Sequence, residues 1–592
     1  MVILLACSAA FAVPAWRGFI RCTQPDGSVV MLQKHGDEFC HWTTDASGQV
    51  VEKNADGYWR PASQVQLSAR RKAAQIKRSA RNRVLKNKDH VAVGQKHFLV
   101  ILVEFSDVKF KSATAGQDFY NLLNENGYSA NGGTGSARDY YYENSHGKFE
   151  PLFDVFGPVT LEKTMAYYGG NDKNGDDKYP EQAVIEGCQG LDEQIDFTQY
   201  DNDSDGTVDL VFMYYAGYGE ADSDEEDSIW PHQWELSAAD KSLTLDGKKI
   251  DSYSCTNELS GPYGLNPGGM CGIGTACHEF GHAMGLPDFY DTDYDTNGLS
   301  AAMFSYSLMD DGSYNNDGRT PPYLTIEERI ILGWLDEDSI KEFPAGGGPV
   351  VLPSVNENVA YKTLTDKEGE YFVYECRNSS GWDAGVGAPG LIITHVDKSD
   401  RVINLANGSV NAYDLWDHWG WYNAINENGD HPCCYVVPAA DQSNLMYGYF
   451  WYEEYQRYYF NYTVNPTIPF PGSTDQTSFT AVSWDGVESG ITLSDISYSE
   501  GSVTFTVNVP KDDLDYPFIS NPGKGVYSAG DSFQLQLEEC EARPVASVKW
   551  LFDDEPVAGQ SVVLPAGWHT VEAIITLADG GTLTLTLEVE AK

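Results

Sequence analysis

Residues 278–288 read HEFGHAMGLPD, and the fold turns on that stretch. Two histidines four apart lie on one face of a helix, so His278 and His282 can direct both imidazoles at a single ion. Glu279 sits beside that ion without ligating it, placed to take a proton from an attacking water. Roughly 0.01–0.02 such matches arise by chance at this length and composition. A helix whose histidines merely bond within a core is therefore the poorer account.

The residues that follow narrow the class. Gly285 comes where the helix must stop and turn, and glycine tolerates the positive φ such a turn needs. Pro287 prevents helical continuation, and Asp288 is placed to swing back as a third, oxygen ligand. A thermolysin-like site takes its third ligand from a separate, later helix, so this spacing favours the turn-back arrangement of the metzincins. Met309, in SYSLMDDGSY, fits the tight turn that puts a methionine beneath such a site. Tyr314 is a candidate hydrogen-bond donor to the oxyanion.

At 592 residues the chain exceeds one hydrophobic core, so three to five domains are expected. Its 36 Tyr, 25 Phe and 14 Trp argue for a packed protein. A net charge of −48 leaves no basic surface for phosphates, which excludes nucleic acid as a partner. No segment approaches the ~18–20 apolar residues of a membrane span. The opening MVILLACSAAFAVPA is expected to be an export signal over residues 1–15, with its small-residue pattern placing cleavage after Ala12. The remaining ten cysteines suggest disulfides, with Cys22–Cys40 and a bridge among Cys255, Cys271 and Cys277 as candidates.

Residues 16–90 read as a propeptide: a small aromatic unit with turns at QPDGS, DASGQ and NADGY, then a basic linker over 70–88 with no acidic residue. That linker is the expected protease-sensitive joint of a zymogen. Residues 91–338 mix strands (97–105, 208–217) with helices (116–125, 136–145, 273–284, 323–334), as an α+β zincin, metzincin-like catalytic domain would. Residues 339–510 alternate as short strands of a β-rich domain, and 511–592 suggest an immunoglobulin-like β-sandwich.

Two loops alternate oxygen side chains. Asp201, Asp203, Asp205 and Asp209, with Gly206 at the sixth position, suit a hard cation such as Ca²⁺, although Phe212 replaces an EF-hand's closing Glu. Residues 291–298 (DTDYDTNG) are a weaker case, equally well read as an active-site loop. For latency, Cys40 or Asp37 is a candidate zinc-blocking ligand, with pairing to Cys22 the blander account of Cys40.

HEFGHAMGLPDFYDTD, DNDSDGTVDLVFMYYAG, IWPHQW and SYSLMDDGS together resemble the immune inhibitor A-type secreted bacterial metallopeptidases. The likeness continues through EYFVYECRNSSGWDAGVGAPGLIITHVD, and RCTQPDGSVV and HGDEFCHW resemble that family's propeptide. The last 80 or so residues fall outside it. The resemblance implies zinc on His278, His282 and Asp288, Glu279 as the base, and calcium within Asp201–Asp209.

The expected protein is thus an exported, bacterial, secreted or cell-surface zinc endopeptidase made as a zymogen. It acts on protein or peptide substrates and is inhibited by its own propeptide. The rival is a binding protein on a protease scaffold, touching glycan or a surface through Trp416, Trp419 and Trp421 of its β-domain.

Overall fold

The computed structural model describes residues 13–62, 67, 70, 92–172, 175–223, 225–262, 264–292, 300–344, 346–403, 419, 423–439, 449–452, 457–460, 468–509, 517–520, 527–538, 543–578 and 580–592. The export-signal stretch 1–12, the basic linker beyond Arg70, residues 293–298 of the second acidic loop, Trp416 and Trp421 lie outside the described residues.

The N-terminal unit is an antiparallel meander of five strands in sequence order: β1 (Ile20–Thr23), β2 (Val29–Asp37), β3 (Cys40–Asp45), β4 (Val50–Lys53) and β5 (Trp59–Pro61). Its three turn sequences close alike. The amides of Gly27, Gly48 and Gly57 bond the carbonyls of Gln24, Asp45 and Asn54 at 2.8–2.9 Å, each glycine at positive φ.

The next unit is built on β6 (Gly94–Glu104), β7 (Phe149–Thr160), β8 (Val211–Tyr218), β9 (His232–Glu235) and β10 (Ser252–Leu259). They form one sheet in the order β9-β10-β8-β6-β7, all parallel except the antiparallel edge strand β9. The run FLVILV in β6 is apolar at every position because both faces are covered. Phe98, Val100 and Leu102 face helices α1 (Ala115–Asn124) and α2 (Ala137–Asn144). Leu99, Ile101 and Val103 face α3 (Pro180–Leu191).

Helix α4 (Gly274–Met284) carries the two histidines. Phe280 anchors it to the sheet, its ring 4.7 Å from Phe98 and 5.4 Å from Phe153, and the Tyr141 hydroxyl donates to the Cys277 carbonyl at 2.6 Å. The expected helix over 323–334 is shorter, α5 (Ile326–Ile331). Thr325 and Glu328 form a reciprocal capping box at its start, and Gly333, at φ 71, follows its end.

Beyond it, a five-stranded sheet (341–437) and a four-stranded sheet (348–508) enclose a second core. Strand Glu370–Arg377 serves two cores by alternation: Phe372 and Tyr374 point into this one, Tyr371 and Val373 into that of the α4 unit. Fully buried Arg377 joins the units, pairing with Asp383 and Glu375 at 3.0 Å and donating to the Tyr323 carbonyl at 2.7 Å. The C-terminal residues form a four-stranded sheet and two two-stranded ladders around Phe533, Trp550 and Ile575.

Two expectations are corrected. The nine described cysteines are all buried, and the bridges expected between Cys22 and Cys40 and among Cys255, Cys271 and Cys277 are not formed. Cys22 packs with Trp59, and Cys40 with Phe39 and Trp42, in separate clusters. Trp419, expected at a surface, is 1 % exposed, and its indole donates to the Asp397 carbonyl. Among the described residues no helix is long and apolar enough to cross a membrane.

Candidate metal centre and cleft

Helix α4 ends as its sequence requires. Gly285 adopts φ 112, and its amide and that of Leu286 cap the Gly281 carbonyl at 2.9 Å. The chain therefore reverses, and Asp288 returns to the histidines. His278 Nε2 and His282 Nε2 lie 3.0 Å apart, each 3.3 Å from Asp288 Oδ1, and all three residues are buried.

The protons on these rings are fixed by what surrounds them. His278 Nδ1 faces the Leu308 carbonyl at 2.9 Å, and His282 Nδ1 faces the Leu286 carbonyl at 2.8 Å. A carbonyl only accepts, so each Nδ1 carries a hydrogen, which leaves Nε2 as the atom free to ligate from each ring. Burial lowers the His282 pKa, which favours the neutral form. Burial would raise the Asp288 pKa, but His282 and His278, whose Nε2 atoms face Oδ1, hold it below the usual carboxylate range. Two imidazole nitrogens and a carboxylate oxygen converging within 3.3 Å of one another fit a divalent cation of zinc's ligand preference.

Residues outside the motif set this geometry. Asn423 clamps Asp288, its Oδ1 accepting from the Asp288 amide and its Nδ2 donating to Asp288 Oδ2, both at 2.6 Å. Met309 is fully buried beneath α4, and a Cβ on Gly281 would lie 3.0 Å from its sulfur, so the glycine permits the approach. Glu328 pins that turn by accepting from the Met309 amide (3.2 Å) and the Ser307 hydroxyl (2.7 Å). The Met309 turn in turn presents the Leu308 carbonyl to His278.

Glu279 lies on the same helix, fully buried, its pKa pushed well up by burial and by the charges of Glu38 and Asp288. Its Oε1 accepts from the backbone amide of Val13 at 2.9 Å. The N-terminal stretch thus enters the cleft. The Trp230 indole donates to the Val13 carbonyl at 3.1 Å, and the Tyr314 hydroxyl to the Pro14 carbonyl at 2.8 Å. The Trp16 amide donates to the Ala221 carbonyl at 2.8 Å. Burial raises the Tyr314 pKa well above its ordinary value, so its hydroxyl keeps the proton it donates.

Of the loop carboxylates, Asp201, Asp203 and Asp209 have oxygens within 4.8 Å of one another. Asp205 is not in that group; its amide bonds Asp201 and Asp203, and its carboxylate accepts from the Thr207 amide. The Lys248 ammonium bonds Asp201, and burial pushes the Asp209 carboxyl up to about 6. Neither Cys40 nor Asp37 joins the histidines: Cys40 packs with Phe39 and Trp42, and Asp37 accepts from the amides of Phe39 and Cys40 in its own turn. Asn423, Trp230 and Ala221 carried no signal for a role. Trp230 stood in the quoted IWPHQW segment, but Asn423 lies 135 residues from Asp288.

Residues 86–325 match the model of "Immune inhibitor A peptidase M6, catalytic domain". Immune inhibitor A of Bacillus thuringiensis subsp. alesti is 28 % identical over 261 residues, which is 38 % of this chain and 37 % of that protein. Pre-pro-metalloprotease PrtV of Vibrio cholerae serotype O1 (strain M66-2) is 26 % identical over 316 residues, 45 % of this chain and 34 % of that protein. The chain thus matches little more than a third of the length of these curated relatives. Among solved structures, wild-type OgpA from Akkermansia muciniphila aligns over 86 % of this chain and 94 % of its own, at 11 % identity and a TM-score of 0.22. Residues 86–325 are thus similar to the catalytic domain of the immune inhibitor A peptidase M6 family and to its metalloprotease relatives.

Proposed function

We propose that this chain is an exported bacterial zinc endopeptidase, made as a zymogen, that hydrolyses peptide bonds of extracellular proteins. The observation that carries the reading is the convergence of His278 Nε2, His282 Nε2 and Asp288 Oδ1 beside the Glu279 carboxylate. His278, His282 and Asp288 would hold the zinc, whose Lewis acidity acidifies a water and polarises a carbonyl. Glu279 takes the proton of the attacking water and delivers it to the leaving amine, a role supported by its contact with a backbone nitrogen. Met309 supports the helix from below, and Tyr314 supplies a protonated hydroxyl in the cleft, suited to a developing oxyanion.

The return of Asp288 after Gly285, with Met309 under the helix, supports a metzincin-like catalytic domain over 91–338. The C-terminal sheet supports a β-sandwich of immunoglobulin-like kind over 511–592, after a β-rich domain at 339–510. Residues 16–90 are assigned as the inhibitory propeptide, behind an export signal within 1–15 that is cut after Ala12, so that Val13–Ala15 stay attached to it. Calcium on Asp201, Asp203 and Asp209 is the weaker metal assignment, because Lys248 already places a cation on Asp201.

The test is Glu279→Gln in the full chain. It should keep one zinc per chain by elemental analysis and abolish casein hydrolysis. Undiminished hydrolysis by that variant removes Glu279 from the chemistry.

A further inference from the structure

Asp288 is the one member of the metal-binding trio that helix α4 does not carry, so its place depends on what grips the chain after Gly285. Phe289, next in sequence, is gripped from both sides. Its amide donates to the Met309 carbonyl at 2.9 Å, and its carbonyl accepts from Asn426 Nδ2 at 2.7 Å. Its ring lies 5.9 Å from that of Trp419, edge to face. Met309 belongs to the catalytic unit, whereas Asn426 and Trp419 come from the β-rich unit. Phe289, Met309, Trp419, Ile425, Cys433 and Cys434 share one hydrophobic core, so the two units meet here without a break.

Asn426 is fully buried, and its amide has no bonding capacity left over. Besides Phe289, Nδ2 donates to the Cys434 carbonyl at 2.7 Å, and Oδ1 accepts from the Cys433 and Cys434 amides, both at 3.0 Å. Two donors and two acceptors, all that a primary amide offers here, are matched. A carboxylate of the same shape would turn an acceptor on two carbonyls, and a shorter side chain would reach neither. These bonds fasten the segment that carries Asn423 to the start of strand Cys434–Val437. Asn423 itself adopts φ 45, a left-handed conformation, while its side chain is committed to Asp288. Further along the returning loop, the Thr292 hydroxyl lies 3.2 Å from both the Asn423 carbonyl and Glu427 Oε1. The loop is therefore held at positions 288, 289 and 292 by residues 423–427.

We propose that Asn426 is a positioning residue for the metal: from the β-rich unit it fixes Phe289, and with it the Asp288 ligand. The zinc centre is thus assembled from two units, with the histidines set by helix α4 and the carboxylate set by residues 423–434. The inference rests on the zinc-peptidase reading and adds to it a residue, and a dependence on the β-rich unit, that lie outside the matched stretch 86–325.

The experiment uses the full chain as wild type, Asn426→Asp and Asn426→Ala. Zinc affinity is read by competitive chelation and ligand geometry by the visible spectrum of the cobalt-substituted protein. Asn426→Asp keeps the volume but removes both donors, so zinc affinity should fall about tenfold and the cobalt bands should shift. Asn426→Ala leaves a polar space in which water can bond the freed groups, so its loss should be smaller. A role in packing alone predicts the reverse order, since alanine removes more buried volume. Coupling between two sites is reciprocal, so zinc loading of wild type should slow hydrogen exchange at the Cys433 and Cys434 amides at least about threefold. Wild-type zinc affinity and cobalt spectrum in a folded Asn426→Asp overturn the inference, as does a larger loss in Asn426→Ala. If neither variant folds, the wild-type exchange decides, and protection unchanged by zinc overturns it. Wild type that binds no zinc removes the peptidase reading, and this inference with it.

Discussion

Lys34→Met tests how the N-terminal unit is held on the catalytic unit. Glu220 is 1 % exposed, and its basic neighbours come from strands β2 and β3: Lys34 Nζ at 3.5 Å and His41 Nε2 at 3.3 Å from Oε1. Lys34, itself 5 % exposed, also donates to the Glu220 carbonyl at 2.8 Å. Removing one partner of a buried pair costs about 3–5 kcal/mol, because the remaining charge stays desolvated. His41 still faces the carboxylate, so the lower end applies, about 3 kcal/mol or roughly 150-fold in affinity.

The assay is dilution of the linker-nicked complex, followed by size-exclusion measurement of the fraction of N-terminal unit retained. A midpoint shifted by less than about threefold would refute the pairing as a docking determinant. The same pair sets a pH dependence. Burial would raise the Glu220 pKa, but His41 and Lys34 hold it below its ordinary 4.5. A depressed carboxylate stabilises the docked state above its free pKa and loses that contribution as pH falls through the docked value. Retention should therefore hold at neutral pH and fail below about 4.5, while the variant fails at a higher pH. Asp177, raised by burial and by the Glu220 charge, acts in the opposite sense and makes the acid loss less steep.

Other perturbations separate fold from chemistry. Phe280→Ala removes a ring packed on Phe98, Tyr141 and Phe153 and should cost about 3–5 kcal/mol in denaturant unfolding; a loss under about 1 kcal/mol would contradict its anchoring role. Asn423→Ala frees Asp288 from both its clamps, so zinc affinity by competitive chelation should fall about 10–100-fold with the fold intact. Millimolar calcium should raise the Tm of wild type but not of Asp209→Asn, and Lys248→Met should enlarge the wild-type shift; no response in any of the three removes the calcium assignment.

What the sequence disclosed and what it hid divide along physical lines. The i, i+4 histidines, Gly285 and Asp288 were readable because helix period and one left-handed residue fix their relation locally. Met309 was readable from its distance along the chain, but not the Leu308 carbonyl beside it, since any residue supplies a carbonyl. Asn423 was hidden because a single clamp 135 residues away leaves no local pattern. Trp419 misled because an indole with a buried acceptor has the same composition as an exposed one. The cysteine count misled because a small buried hydrophobe and half a disulfide are the same letter.

The N-terminal stretch shows the ambiguity most sharply. Ala12-Val13-Pro14-Ala15 reads as the end of an export signal because signal cleavage needs small, apolar residues. In the fold, Val13 and Ala15 are buried against Ala221 and Trp230, and burial in a packed cluster selects small, apolar residues for a different physical reason, so the letters alone cannot tell the two apart.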